Sequence, residues 1–273
     1  MSTDTTSTHG APATARPTIV YFTGWADDRD RRGVAIATGV ERALGDGFRV
    51  CSYERRNTGR SEAVDGTQSP EDVIADADGV LAALGEDGPF VLLGASFGGL
   101  VALAYAVAHP ERVAGVVLLD ASTGVDYEIE EAHKVQGACR EANRKADAFD
   151  ALEKLDNCRL MKWIHDRRKR EPDVPMLYLA ARDDSDRGAE DDSIRIAWVE
   201  SWSPGTWRVV DAPHWMDEAD TPLVADAVRE IIDLASTKRS TTASRGGLRQ
   251  LLAVAQLPTD SEIAPSRSED IRA

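Results

Sequence analysis

The sequence predicts an α/β fold in which a mostly parallel sheet is flanked by helices. From about residue 18, short apolar runs of strand type alternate with amphipathic helical segments, which is the pattern of such folds. The run over 113–119 contains no polar residue, and this indicates a strand that is buried on both faces. A chain of 273 residues with 42% hydrophobic content is long enough to bury a sizeable core.

The first half of the chain supplies three strand–helix steps. The predicted elements are a strand over 18–22, a helix carrying Val34 to Leu44, a strand over 48–53, a helix over 70–84, a strand from Phe90 and a helix ending before Pro110. The second of these helices has clear end signals, since Ser69 is placed to cap it, Pro70 suits its first position and Asp72 completes a capping box.

The second half repeats the pattern after an interruption. Residues 122–172 are charged and favour helices, so we expect an inserted helical cap there. Strands over 174–180 and 206–210, a helix over 194–200 and a helix from Thr221 then follow. The predicted organisation is a disordered lead-in over 1–17, a core over 18–121 and 173–235, a cap over 122–172, and a flexible tail over 236–273 with a possible short helix.

Composition narrows the classes of partner and compartment. The net charge of −15 argues against nucleic acid or an anionic membrane surface, both of which require a concentrated basic face. Neither a membrane-spanning run nor an export signal is visible, so we expect a cytoplasmic protein. The three cysteines match no common zinc spacing, and reduced thiols are the simplest interpretation, with a Cys139–Cys158 bridge left open. No metal and no cofactor is predicted.

The segment Gly94-Ala95-Ser96-Phe97-Gly98 joins a predicted strand to a predicted helix. Glycines two residues before and after Ser96 allow strand and helix to pass closely, so the serine can lie on a tight turn at a helix N-terminus. The turn could expose a nucleophilic hydroxyl, or it could serve packing alone. Asp183 and His214 follow later strands, and the carboxyl ends of parallel strands lie at one edge of a sheet.

The order Ser96, Asp183, His214 resembles that of the catalytic triad in the α/β-hydrolase superfamily, and the chain is most similar to the esterase and lipase-like members with a helical cap. The segments that carry the resemblance are 22–25, 57–61, 94–99, 109–113, 182–183 and His214. It implies that Ser96 is the nucleophile, His214 the base and Asp183 the acid, and that the amides of Trp25 and Phe97 form the oxyanion hole. The chain before residue 18 is too short for the hairpin that usually opens this fold.

Alternatives remain for the acid and for the reaction. Asp184 and Asp120 compete with Asp183, since Asp120 follows the strand after the serine turn. A serine in the turn favours cleavage of an ester or thioester of a small molecule through an acyl-enzyme. A perhydrolase, lyase or carbon–carbon bond hydrolase of the same fold is the alternative, and a silent ligand-binding scaffold is another. The sequence sets neither the substrate nor the oligomeric state.

Overall fold

The computed structural model describes residues 16–25, 32–132, 153–182, 189–202 and 204–254. Within these ranges six strands form one sheet in the order β2-β1-β3-β4-β5-β6, and every neighbouring pair is parallel. The strands are β1 (Ile19–Phe22), β2 (Val50–Ser52), β3 (Phe90–Ala95), β4 (Val113–Leu119), β5 (Met176–Ala181) and β6 (Gly205–Val210). The predicted parallel α/β sheet is confirmed.

Helices connect the strands and cover both faces of the sheet. They are α1 (Arg32–Leu44), α2 (Pro70–Ala83), α3 (Gly98–Ala108), α4 (Asp126–Ala132), α5 (Asn157–Arg167), α6 (Ala189–Glu200), α7 (Met216–Ala219) and α8 (Thr221–Val254). The capping box at the start of α2 is confirmed, because the Asp72 amide donates to Ser69 Oγ while Asp72 Oδ2 accepts from the Ser69 amide.

The strand order reverses direction beside β1, and this position creates a crevice. The chain moves from β1 to β2 on one side and returns to β3 on the other. The loops that leave the carboxyl ends of β1 and β3 therefore separate at this point, where open parallel sheets bind their ligands. Those loops contain Gly24, Trp25 and Ser96.

Two apolar clusters hold the sheet between its helices. One cluster packs α2, α3 and α5 on one face, and the other packs α1 and α8 on the opposite face. Strands β1, β3, β4 and β5 are buried at every position. Such complete burial requires helices on both sides of the sheet and explains why these strands read as unbroken apolar runs.

The last helix, α8, runs from Thr221 to Val254 and so continues past Ala235, where the predicted core ends. No proline lies between residues 236 and 254 to interrupt it. The chain divides into two compact units, Met1–Ala235 and Ser236–Ala273.

Several predicted segments cannot be compared with the structure. The lead-in before residue 16, the middle of the cap over 133–152 and the tail after 254 lie outside the described residues. Among the described helices, none is both long and apolar enough to cross a membrane.

Cys158 is disulfide-bonded and Cys51 is a buried free thiol, so the expectation of reduced thiols is wrong for Cys158. Cys139 lies outside the described residues.

Candidate active site

Ser96 lies on a strained turn between β3 and α3. Its φ angle is +49°, in the left-handed region that a residue other than glycine rarely adopts. The surrounding backbone holds this conformation, since the Ser96 amide donates to the Leu119 carbonyl and the Ser96 carbonyl accepts from the amides of Gly99 and Ser122. Strain of this kind concentrates at functional sites, where the fold offsets its cost.

The glycines around Ser96 allow the chain to approach neighbouring backbone. A Cβ atom on Gly94 would lie 2.8 Å from the Gly99 Cα, and one on Gly98 would lie 2.0 Å from the Phe22 carbonyl oxygen. Neither contact is possible for a real Cβ atom. The glycines are therefore required for β3 and α3 to pack closely and for α3 to begin against the end of β1.

His214 connects the serine to a buried carboxylate. His214 Nε2 lies 3.1 Å from Ser96 Oγ, and His214 Nδ1 lies 2.6 Å from Asp120 Oδ2. The Asp120 side chain is 1% exposed, whereas that of His214 is 48% exposed. An ionised carboxylate only accepts hydrogen bonds, so this arrangement places the imidazole proton on Nδ1 and leaves Nε2 as the acceptor facing the serine.

The sheet register explains why Asp120 lies beside Ser96. Ala95 pairs with Leu119, so the residues that follow them leave adjacent strands at the same level. Asp120 Oδ1 accepts from the Ala181 amide at 3.0 Å, and this bond from the end of β5 orients the carboxylate. Asp120 also has a positive φ of +42°.

The contact with His214 Nδ1 that the sequence favoured for Asp183 is made by Asp120, the alternative that follows β4. Asp183 and Asp184 lie outside the described residues. The sheet order accounts for the position of Asp120, because β4 is the direct neighbour of β3. A sequence pattern predicts where strands end, but it does not show which loop turns its side chain towards the histidine.

The loop after β1 forms one wall of the site. A Cβ atom on Gly24 would lie 3.3 Å from Ser96 Cβ, so this backbone passes directly beside the serine. The indole of Trp25 stacks on the ring of Phe97, with centroids 4.2 Å apart and planes 18° apart. The two residues predicted to supply the oxyanion hole are thus brought together next to Ser96.

A cavity of about 270 Å³ opens at this position. Its lining includes Trp25, Ser96, His214 and Trp215, and the Trp215 side chain is an exposed aromatic surface. Asp217, in the first turn of α7, is buried and lines the same cavity.

Tyr21 accounts for the burial of Asp217. The Tyr21 hydroxyl donates to Asp217 Oδ2 at 2.5 Å. Burial, followed by the charge of the nearby carboxylate, raises the pKa of Tyr21 well above its usual value. A tyrosine in an apolar strand was the available sequence signal, since a buried phenol requires a hydrogen-bond partner.

The other described histidines make contacts away from Ser96. His109 is the C-terminal cap of α3, and its Nε2 lies 2.7 Å from Asp78 Oδ2. His165 in α5 is part-buried, and its Nδ1 lies 3.3 Å from Glu128 Oε1. In the part of the chain that the structure describes, no group of three or more histidine, cysteine, aspartate or glutamate side chains is placed to hold a metal ion.

Comparison with known proteins agrees with this fold. The family model for the alpha/beta hydrolase fold matches residues 17–154, half of the chain. A proline iminopeptidase from Neisseria gonorrhoeae is 40% identical over 75 residues, which is 27% of this chain and 24% of that protein.

Solved structures extend the similarity over most of the chain. A thermophilic esterase from Thermogutta terrifontis aligns with a TM-score of 0.53 and 22% identity, over 80% of this chain and 90% of that chain. An enol-lactonase from Burkholderia xenovorans LB400 aligns with a TM-score of 0.54 and 17% identity, over 82% and 94% of the respective chains. At these identities the structures share a fold. Because the family model matches half of the chain, the chain belongs to the alpha/beta hydrolase fold family.

Proposed function

We propose that the protein is a serine hydrolase that cleaves a carboxylic ester or thioester of a small molecule through an acyl-enzyme on Ser96. The observation that carries the proposal is the continuous contact from Ser96 Oγ to His214 Nε2 and from His214 Nδ1 to Asp120 Oδ2, at 3.1 and 2.6 Å. A serine, a base and an orienting carboxylate in hydrogen-bond contact are the arrangement that nucleophilic acyl transfer needs.

The first half of the reaction forms the acyl-enzyme. His214 Nε2 accepts the proton of the Ser96 hydroxyl as its oxygen attacks the acyl carbon, and Asp120 stabilises the resulting imidazolium. The tetrahedral intermediate then collapses, and its carbon–oxygen or carbon–sulfur bond breaks. The imidazolium returns the proton to the leaving alcohol or thiol.

The second half releases the acid. Water gives its proton to His214 Nε2 and attacks the acyl carbon, and the serine oxygen leaves with that proton. The amides of Trp25 and Phe97 are proposed to donate to the oxyanion in both halves. Developing charge also lies near the N-terminus of α3, whose partial positive charge favours it.

Other reactions of the same fold could use the same three side chains. A carbon–carbon bond hydrolase, a perhydrolase or a lyase is therefore the alternative. The similarity of 75 residues to a proline iminopeptidase adds a prolyl amide as a second substrate class to be tested. A catalytically silent scaffold would not need the strained φ of +49° at Ser96.

A labelling and turnover experiment tests the proposal. The wild-type protein is expected to react with a fluorophosphonate on Ser96 and to hydrolyse a short-chain aryl ester or an acyl thioester of pantetheine. Ser96→Ala is expected to abolish both reactions. An L-proline aryl amide serves as the peptidase substrate, and its turnover in place of the esters would reassign the substrate class.

Two results would overturn the mechanism. The first is labelling at a residue other than Ser96, and the second is undiminished turnover by Ser96→Ala. If Ser96 is labelled but no ester, thioester or amide is cleaved, the non-hydrolytic alternative replaces ester cleavage.

A further inference from the structure

A buried arginine contacts the loop beside Ser96 from behind. Arg55 is 5% exposed and follows β2, and its guanidinium donates to the carbonyl oxygens of Thr23 and Gly24 at 2.8 and 2.7 Å. These are the two residues before Trp25. A charged side chain is rarely buried without a partner of opposite charge.

Glu153 supplies the compensating charge. It is 0% exposed, and its carboxylate accepts from Arg55 Nε and Nη2, both at 2.5 Å. Burial opposes the charged guanidinium, but the charge and the hydrogen bonds of Glu153 outweigh that effect and raise the pKa of Arg55 above its usual value. The carboxylate holds one edge of the planar guanidinium and leaves the other N–H groups to the two carbonyls.

The backbone of Glu153 is itself fixed to the loop after β2. Its carbonyl accepts from Asn57 Nδ2 at 3.2 Å and from Gln68 Nε2 at 2.5 Å. Gln68 also forms a parallel β-bridge with Leu155, and its backbone N–H donates to the Lys154 carbonyl at 2.7 Å. The segment 153–155 is therefore attached both to the loop after β2 and, through Arg55, to the loop after β1.

Peptide geometry gives this link a consequence at the site. The Gly24–Trp25 peptide is planar and trans, so the Trp25 N–H points away from the Gly24 carbonyl. Since that carbonyl faces the guanidinium, the Trp25 N–H faces the opposite side of the loop. Gly24 passes within contact distance of Ser96, and both residues line the cavity.

We propose that Arg55 and Glu153 are positioning residues that hold the Gly24–Trp25 peptide so that the Trp25 amide donates to the oxyanion formed on Ser96. The inference rests on the proposed acyl-transfer function and deepens it. It assigns to a buried ion pair, 98 residues apart in sequence, the orientation of one oxyanion donor. Neither side chain contacts the cavity, so neither is a catalytic residue.

Glu153→Gln and Arg55→Lys test the proposal. Glutamine would present an N–H group to the guanidinium in place of an acceptor, and lysine keeps the charge but loses the planar fork. Each variant is expected to lower kcat about 100-fold, the usual effect of losing one oxyanion donor, while KM changes less than about threefold. Turnover is normalised to the fraction of enzyme that fluorophosphonate labels, because a merely structural role would lower that fraction and leave kcat per labelled site unchanged.

The neighbouring ion pair provides a matched control. Arg56 Nη2 lies 2.8 Å from Asp76 Oδ1, and this part-buried pair connects the same loop to α2 without touching the loop after β1. Arg56→Lys and Asp76→Asn should leave kcat per labelled site within about threefold of wild type, even if they lower the urea midpoint.

The outcomes separate this inference from the proposed function. The inference is wrong if Glu153→Gln and Arg55→Lys retain wild-type kcat, or if the control variants lose as much kcat per labelled site as they do. The proposed function is wrong if the wild-type protein shows no turnover that depends on Ser96. The second result is read from the wild type and Ser96→Ala in the same series.

Discussion

Replacing Asp120 with asparagine separates the structural assignment of the acid from the sequence-based one. The Ala181 amide, 3.0 Å from Oδ1, would retain the asparagine oxygen as its acceptor and so turn Nδ2 towards His214. Two N–H groups cannot face each other across the 2.6 Å that now separates Oδ2 from His214 Nδ1. The imidazole would therefore carry its proton on Nε2 and could not accept the proton of Ser96.

The wrong tautomer has a large expected effect. A serine hydrolase whose triad acid is changed to asparagine loses about 10⁴ in kcat, which corresponds to about 5 kcal/mol of transition-state stabilisation. The change to asparagine preserves the size of the side chain and therefore the fold. The assay measures kcat per fluorophosphonate-labelled site with an aryl ester. Asp183→Asn and Asp184→Asn are the matched controls and should retain activity within about tenfold. A loss of 10⁴ in Asp183→Asn with little change in Asp120→Asn would refute the assignment.

Three further predictions concern stability and are measured by urea unfolding. Tyr21→Phe removes a hydrogen bond to the buried Asp217 carboxylate and should lower the free energy of unfolding by about 2 kcal/mol, and an unchanged value would contradict the buried contact. Burial raises the pKa of Glu171 from 4.5 to about 7, so the folded state binds this proton more tightly than the unfolded state does. The free energy of unfolding of the wild-type protein should therefore fall by up to about 3 kcal/mol as the pH rises from 5 to 7. Glu171→Gln should remove that fall, and parallel pH profiles would contradict it. Gly98→Ala would place a methyl group 2.0 Å from a carbonyl oxygen of β1 and should lower the free energy of unfolding by about 3 kcal/mol or more. Gly79 on α2 faces open space, so Gly79→Ala should raise the free energy of unfolding by about 0.5–1 kcal/mol. Equal effects of the two substitutions would contradict the packing argument.

The parallel α/β fold could be predicted because burial on both faces leaves a direct mark on the sequence. A strand covered by helices carries no polar residue, and the run over 113–119 is such a strand. Local hydrogen bonding is equally direct, since Ser69, Pro70 and Asp72 predict the start of α2 from their own backbone preferences. These features depend on neighbours in the chain.

The remaining features depend on contacts between distant residues. Asp120 is favoured by sheet register and by one amide from β5, neither of which a single sequence states. The pairing of Arg55 with Glu153 joins a loop after β2 to a residue within the predicted cap. The burial of Asp217 leaves no local mark on the sequence, because acidic residues are mostly exposed, and its buried partner, the Tyr21 hydroxyl, is distant in the chain.

The most direct test of the proposed mechanism is to trap its covalent intermediate. Wild-type protein is mixed with an aryl ester, quenched in acid within one turnover and digested, and the peptide that contains Ser96 is weighed by mass spectrometry. The proposed mechanism predicts that this peptide gains the mass of one acyl group, that the gain is localised to Ser96, and that it disappears once substrate is exhausted. Ester turnover with the acyl group on another residue, or with no acyl-enzyme on Ser96 when deacylation is the slow step, would contradict it.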